Sequence, residues 1–276
     1  MNKPTSLHTL LRDKGIAQAI ADTERSIRAE PTAPTHRWLL FQLLCLTGDW
    51  ARARTLLPAA AHAVAPSKTG ATSVAMLYEQ LIAAEQARDQ VFAGLSAPAF
   101  LGQAPAWALS LVEALAIESL GDQAAADARR EAGLADAPSV KGWTDKGAFE
   151  WLADADSRLG PVCELMYEGQ YFWVPMDEVS AIFLPEPNRI ADLVWTPVSL
   201  SLLDGQTLQA HMPARYAGSE HASDAARLGR ETLWREQGTT GTFGIGQKMW
   251  MHDAGELALH DVRECHFGEE LESVDD

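Results

Sequence analysis

The chain has 276 residues, 47% of them hydrophobic and 22% charged, and its formal net charge is −16. This is the composition of a globular protein able to bury cores of its own, with length for about two domains. The acidic balance argues against a phosphate backbone or an anionic membrane surface as a partner. No apolar run approaches the roughly 18 residues a membrane-spanning helix needs.

Helical periodicity runs from residue 6 to about 136. Leu7, Leu10 and Leu11 mark a short helix closed by Gly15. A second runs from Ile16 to Glu30, with Ile16, Ile20 and Ile27 inward, and stops at Pro31. A third follows Pro34 and buries Trp38, Phe41, Leu44 and Cys45. Gly48-Asp49-Trp50 turns into a fourth, striped by Trp50, Ala53, Leu57 and Val64 and ending at Pro66, with a kink or break expected at Pro58. Helices are expected near Ser73–Arg88 (Leu77, Leu81, Ala84) and Pro105–Ser119 (Trp107, Leu111, Leu115), separated by a loop over Val91–Gln103. A last helix follows Gly121 and ends near Pro138.

Gly15 and Gly48 lie 33 residues apart. A glycine turn and a proline stop at a period of about 34 residues is the tetratricopeptide pattern, although a generic helical bundle fits equally well. Residues 137–149 break the periodicity and read as a linker. The expected architecture is α+β: all-α tetratricopeptide-like repeats over 1–136, then a smaller mixed, mainly antiparallel domain over 150–276 that ends in an acidic tail.

In that second half, a short helix is expected to carry Trp151–Pro161, and another to start at Pro161, bury Val162, Leu165 and Met166 and stop at Gly169. Strands are expected at Tyr171–Val174, Val179–Leu184 and Thr232–Glu236. Hairpins are expected across Asp204-Gly205 and across 252–255. About six short strands suggest a curled sheet or partial barrel. The glycine-rich run Gly238–Gly246 reads as a flexible loop.

The candidate chemistry is sparse. Asp154 and Asp156 are two residues apart and would diverge on a helix, so pairing with Arg158 at a domain junction is favoured over a catalytic or cation-binding role. The loop Arg215, Tyr216, Ser219, Glu220 could bind a partner or pair internally with the junction acids. Trp195 and Trp234, among nine tryptophans, are further junction or interface candidates. No elbow, phosphate loop, dinucleotide fingerprint or metal-type spacing of His and Cys occurs, so no catalytic residue, metal or cofactor is assigned. The odd, scattered Cys45, Cys163 and Cys265, and a start without a signal-peptide core, point to reduced thiols in the cytoplasm.

Several motifs occur here in order: Gly48-Asp49-Trp50, Trp151–Pro161, Tyr171-Phe172-Trp173-Val174-Pro175, Asp192-Leu193-Val194-Trp195, Arg215–Glu220 and Arg227-Leu228-Gly229-Arg230. Together they resemble the ImpE (TagJ/SciE) family of bacterial type VI secretion accessory proteins, from about Leu10 to Phe267. The chain departs from the family pattern at Ala217, where proline is common, and at Pro58. The resemblance implies a non-enzymatic adaptor that binds the N-terminal helix of the contractile sheath's small subunit and influences sheath assembly or recycling. It leaves open an indirect contact with the sheath-disassembling ATPase, and it implies neither nucleic acid nor membrane insertion. The alternatives are a hydrolase using Asp154 and Asp156 with Ser219 or His221, and a purely structural subunit of a larger complex.

Overall fold

The computed structural model describes residues 15–268. The helix expected at Leu7–Leu11 and the acidic tail after Gly268 lie outside them. Six helices come first: α1 Ile16–Ala29, α2 Pro34–Leu46, α3 Trp50–Ala61, α4 Lys68–Phe92, α5 Ala106–Ser119 and α6 Gln123–Asp136. Their starts follow local chemistry. Asp49, Ser67 and Asp122 each accept a backbone N–H of the first turn of α3, α4 and α6. Pro34 opens α2, where its missing N–H costs nothing.

Several expectations change here. α3 runs through Pro58, whose side chain is exposed, so the proline does not break the helix. Val64 lies beyond the end of α3 and is 43% exposed rather than buried. α4 is longer than expected and takes in Val91 and Phe92 from the expected loop, while Leu77 lies on its exposed side.

Thirteen strands follow: β1 Gly142–Thr144, β2 Gly147–Phe149, β3 Leu152–Asp154, β4 Val162–Tyr167, β5 Gln170–Pro175, β6 Val179–Phe183, β7 Trp195–Leu202, β8 Thr207–Pro213, β9 Thr232–Gln237, β10 Gly241–Gly246, β11 Met249–His252, β12 Gly255–Ala258 and β13 Glu264–Phe267. A four-residue helix, α7 Asp224–Arg227, sits between β8 and β9. The main sheet has the order β2-β1-β13-β6-β7-β8-β4-β5, and every neighbouring pair in it is antiparallel. A three-stranded sheet, β12-β11-β3, and the β9–β10 hairpin accompany it. The fold is thus helices followed by a mainly antiparallel β region.

The strand count corrects four readings. Residues 142–149, inside the expected linker, form two strands of the main sheet. Leu152–Asp154, expected on a helix, pairs with β11. Val162–Tyr167, also expected as a helix, is a strand buried on both faces, so the apolar alternation that would identify it is absent. Its end is not a helix stop but a two-residue turn with Glu168 at φ 49 and Gly169 at φ 80, the left-handed pair that a tight hairpin needs. Gly241–Gly246, expected as a loop, is β10; its glycine at 244 lets Tyr216 pack on the strand, since a Cβ there would lie 2.3 Å from the ring.

Two cores result. One joins helices to strands: Phe41, Leu57, Leu81 and Trp107 pack with Val162, Tyr171, Trp173 and Trp195. The other lies on the opposite face of the sheet around Leu165, Val174, Ile182, Leu200 and Trp250. Rings reinforce the first: Trp50 lies 5.7 Å from Trp195, and Tyr78 stands edge-on to Phe41 at 5.1 Å. Ala99 exchanges backbone bonds with Tyr171 and Trp173, covering the outer edge of β5.

Candidate functional site

The helix–sheet contact is built around buried charge. Glu164 projects from β4 toward α4, between Val162 and Met166 on the same strand face, and is 1% exposed. Arg88 of α4 donates to Glu164 Oε1 at 2.5 Å and to Oε2 at 3.2 Å. Lys248 Nζ stands 2.5 Å from Glu164 and 2.6 Å from Asp154. The Tyr171 hydroxyl donates to Glu164 at 2.6 Å and accepts from Trp173 Nε1 at 2.7 Å. One turn back on α4, Glu85 accepts from Arg88 at 2.9 Å and from Trp195 Nε1 at 2.7 Å. Buried charges are stable only when paired and hydrogen-bonded in this way.

The acidic turn after β3 has its own partners. Asp156 is fully buried and accepts from the Arg158 backbone at 3.0 Å, from Arg158 Nε at 2.9 Å and from the Gly244 amide at 3.0 Å. Arg158 then lies between Phe92 of α4 and Phe243 of β10, 4.7 and 4.5 Å from their ring centres. Asp156 also ties its own amide to Asp154 at 2.9 Å.

The loop after β8 is equally occupied. Arg215 Nη1 donates to the carbonyls of Leu46 and Arg227, and its own carbonyl accepts from Arg88 at 2.9 Å. The Tyr216 hydroxyl donates to the Met249 carbonyl and accepts from the Met249 amide, both at 3.0 Å. Ser219 Oγ donates to the Tyr216 carbonyl and accepts from the Gly246 amide. Glu220 packs on Gly48, where a Cβ would meet its side chain at 2.7 Å. His221 points outward with 82% of its side chain exposed, while both aspartates are sealed from solvent. Hydrolysis would require these groups to converge on a substrate-accessible point.

A second junction joins α6 to the β9–β10 turn. Asp127 accepts from the Thr239 amide at 2.8 Å and from the Thr240 hydroxyl at 2.8 Å, and these bonds hold its carboxyl well below the usual carboxylate range. Arg130 pairs with Asp127 and Glu118 and lies over Phe243. Among the described residues no group of three or more His, Cys, Asp or Glu side chains could hold a metal ion. No helix among them is long and apolar enough to cross a membrane.

Trp234 differs from the other candidates. It is 39% exposed, lies 5.6 Å from the Tyr216 ring, and forms part of a cleft of about 480 Å³ with Trp151, Met251 and Leu134. A second cleft of about 490 Å³ runs between α3 and α4 beside Met76, and a polar one of about 390 Å³ holds Arg230 and His260.

Arg88, Glu85, Glu164 and Lys248 were not among the sequence candidates. The available signal was charge inside apolar stripes: Leu81, Ala84, Glu85 and Arg88 share one face of α4, and Glu164 stands between Cys163 and Leu165.

The network predicts a specific acid dependence. Burial raises the Glu164 carboxyl, but Arg88 and Lys248 outweigh it and hold the group down at about 2, against an ordinary 4.5. A depressed carboxylate stabilises the fold above about pH 4.5, and that contribution falls away as pH drops toward about 2. Wild type and Glu164→Gln should therefore differ in urea stability by an amount that shrinks by about 3 kcal/mol across this window. A difference that stays flat between pH 7 and pH 3 would reject this.

The fold and site thus define an α+β protein whose helical array is joined to its sheets by buried ion pairs, with an apolar cleft left open. A family model described as ImpE protein matches residues 146–266. Over 259 residues the chain is 40% identical to the type VI secretion system accessory component TagJ of Pseudomonas aeruginosa strain PAO1, covering 94% of this chain and 89% of that protein. The crystal structure of a Vibrio parahaemolyticus protein superimposes with a TM-score of 0.83 at 26% identity, covering 95% of this chain and 97% of the other. The chain belongs to the ImpE family, with TagJ as a relative.

Proposed function

We propose that this protein is a non-enzymatic accessory component of a bacterial type VI secretion system. It acts in the cytoplasm, holds the N-terminal helix of the contractile sheath's small subunit, and influences sheath assembly or recycling. The observation that carries this reading is the 40% identity to the TagJ accessory component, which extends over both helices and strands. The internal use of Asp154, Asp156 and Ser219 agrees with an adaptor rather than a hydrolase. An open apolar cleft suits helix-in-groove recognition. Any contact with the sheath-disassembling ATPase would then pass through the bound sheath subunit. Calorimetry with a synthetic peptide of that subunit's N-terminal helix should show saturable binding. No heat and no co-elution at high micromolar peptide would sink the reading.

A further inference from the structure

We infer that the polar cleft between the β6–β7 loop and the turn after α7 is a binding site for a small aliphatic zwitterion of dipeptide size. The cleft shares no lining residue with the apolar one at Trp234, and the inference goes beyond the adaptor reading without resting on it.

Two motifs read in the sequence meet at this cleft. In each, one charged side chain holds the backbone while its neighbours turn to the opening. Asp192 accepts from the amides of Asn188 and Arg189 at 3.0 and 2.9 Å, which fixes the loop carrying Glu186. Arg227 pairs with Asp224 at 3.1 Å and donates to the Glu220 carbonyl at 2.8 Å. Gly229 then turns the chain at φ 61, a left-handed conformation that favours glycine, and presents the exposed Arg230. The remaining wall is the short turn Leu259–Asp261 with Arg263. At about 390 Å³ the cleft falls within the range of roughly 300–1,000 Å³ that small-molecule sites occupy.

The charges around the opening are not spent on each other. Arg263 donates to the carbonyls of Val262, at 2.8 Å, and of His260, which fixes its guanidinium without neutralising it. Among the described residues, Arg230, Arg263, Glu186 and Asp261 form no ion pair. Two cations and two anions thus line one cleft, held farther apart than the roughly 4 Å of an ion pair. A ligand of one sign would meet two groups of its own sign there. A molecule with a carboxylate at one end and an ammonium at the other meets both pairs favourably. Its carboxylate matches the planar fork of a guanidinium.

The neutral lining suits a peptide group between those ends. The Thr196 hydroxyl donates to the Asp192 carbonyl at 3.0 Å, so it accepts from His260 Nε2 at 3.2 Å. His260 Nδ1 is left as an acceptor beside Gly229. Burial and Arg263 hold this imidazole below its ordinary range, so it stays neutral at pH 7. The side-chain amides of Asn188 and Gln247 make no hydrogen bond among the described residues and offer both donors and acceptors. Pro187, Leu193 and Leu228 supply the apolar wall for an aliphatic side chain.

The test is titration of the full chain with alanyl-leucine, followed by amide chemical shifts, beside three controls: N-acetyl-alanyl-leucine, alanyl-leucine amide and inorganic phosphate. Alanyl-leucine should bind saturably with a Kd of about 1 mM or tighter. Blocking either of its charged ends should weaken binding by about tenfold or more. Arg230→Gln and Asp261→Asn, both at exposed positions, should each weaken alanyl-leucine about fivefold or more, with matched thermal melts controlling for folding. Arg230→Gln should leave the amide-capped peptide within about twofold of its wild-type affinity, which a merely loosened cleft would not do. Phosphate or the N-acetyl peptide binding as tightly as the zwitterion overturns the ligand class. Wild-type affinity in both variants overturns the place, and no saturable binding of alanyl-leucine at high millimolar concentration overturns the site itself.

Discussion

Replacing Arg88 with Met should lower stability by about 3–5 kcal/mol, on the order of 10 °C in melting temperature. The side chain is 1% exposed and donates to Glu164, to Glu85 and to the Arg215 carbonyl. Methionine fills a similar volume, so packing is largely kept and the loss is electrostatic. Glu164 would keep only Lys248 and Tyr171, and the Arg215 carbonyl would lose a donor inside the core. Leaving a charge buried and uncompensated is the costly half of breaking such a pair. Arg88→Lys separates charge from geometry. Lysine restores one positive charge but cannot span both Glu164 oxygens and the carbonyl together, so it should recover only part of the loss. A thermal or urea melt of the three proteins decides. An Arg88→Met protein within about 1 kcal/mol of wild type would mean that α4 and β4 are held by apolar packing alone.

This network also explains which parts of the molecule could be read in the sequence. α2 was legible because Pro34 fixes its start, Gly48 lies just past its end, and Trp38, Phe41 and Cys45 repeat at helical spacing. The hairpin at Asp204-Gly205 was legible because its turn residues demand that geometry and β7 alternates in burial. β4 was not. Its two faces meet different cores, one beneath α4 and one around Leu165, and a doubly buried strand loses its period of two. β10 was hidden for the opposite reason, since its Gly244 makes room for Tyr216 rather than marking a loop. The ion pairs escaped because their partners are far apart in the chain: Arg88 and Glu164 are separated by 76 residues and Lys248 and Asp154 by 94. Only the anomaly of charge within an apolar stripe is local, and it names a residue without naming its partner. The open cleft was harder still, since it exists only once α6, β3 and β9 are brought together.

Asp156→Ala is the second large effect expected, again about 3–5 kcal/mol. The carboxylate neutralises Arg158, whose side chain is 10% exposed, and it caps the backbone of Arg158 and Gly244. Alanine leaves a guanidinium between Phe92 and Phe243 with no counter-charge and leaves two amides short of an acceptor. Asp156→Asn keeps an acceptor without the charge and should fall between the two. The double variant Asp156→Ala with Arg158→Ala removes the stranded charge, so it should be less destabilised than the sum of the single changes. Under the proposed adaptor role, titration with the sheath-subunit helix peptide supplies the second measurement. Ala155 and Ser157, on either side of Asp156, line the open apolar cleft, so a loosened turn should weaken any binding there as a consequence of lost stability. The two losses should then move together across Asp156→Ala, Asp156→Asn and the double variant. An unchanged melting temperature with binding abolished would instead make Asp156 a recognition residue, and the turn between β3 and β4 part of the docking surface.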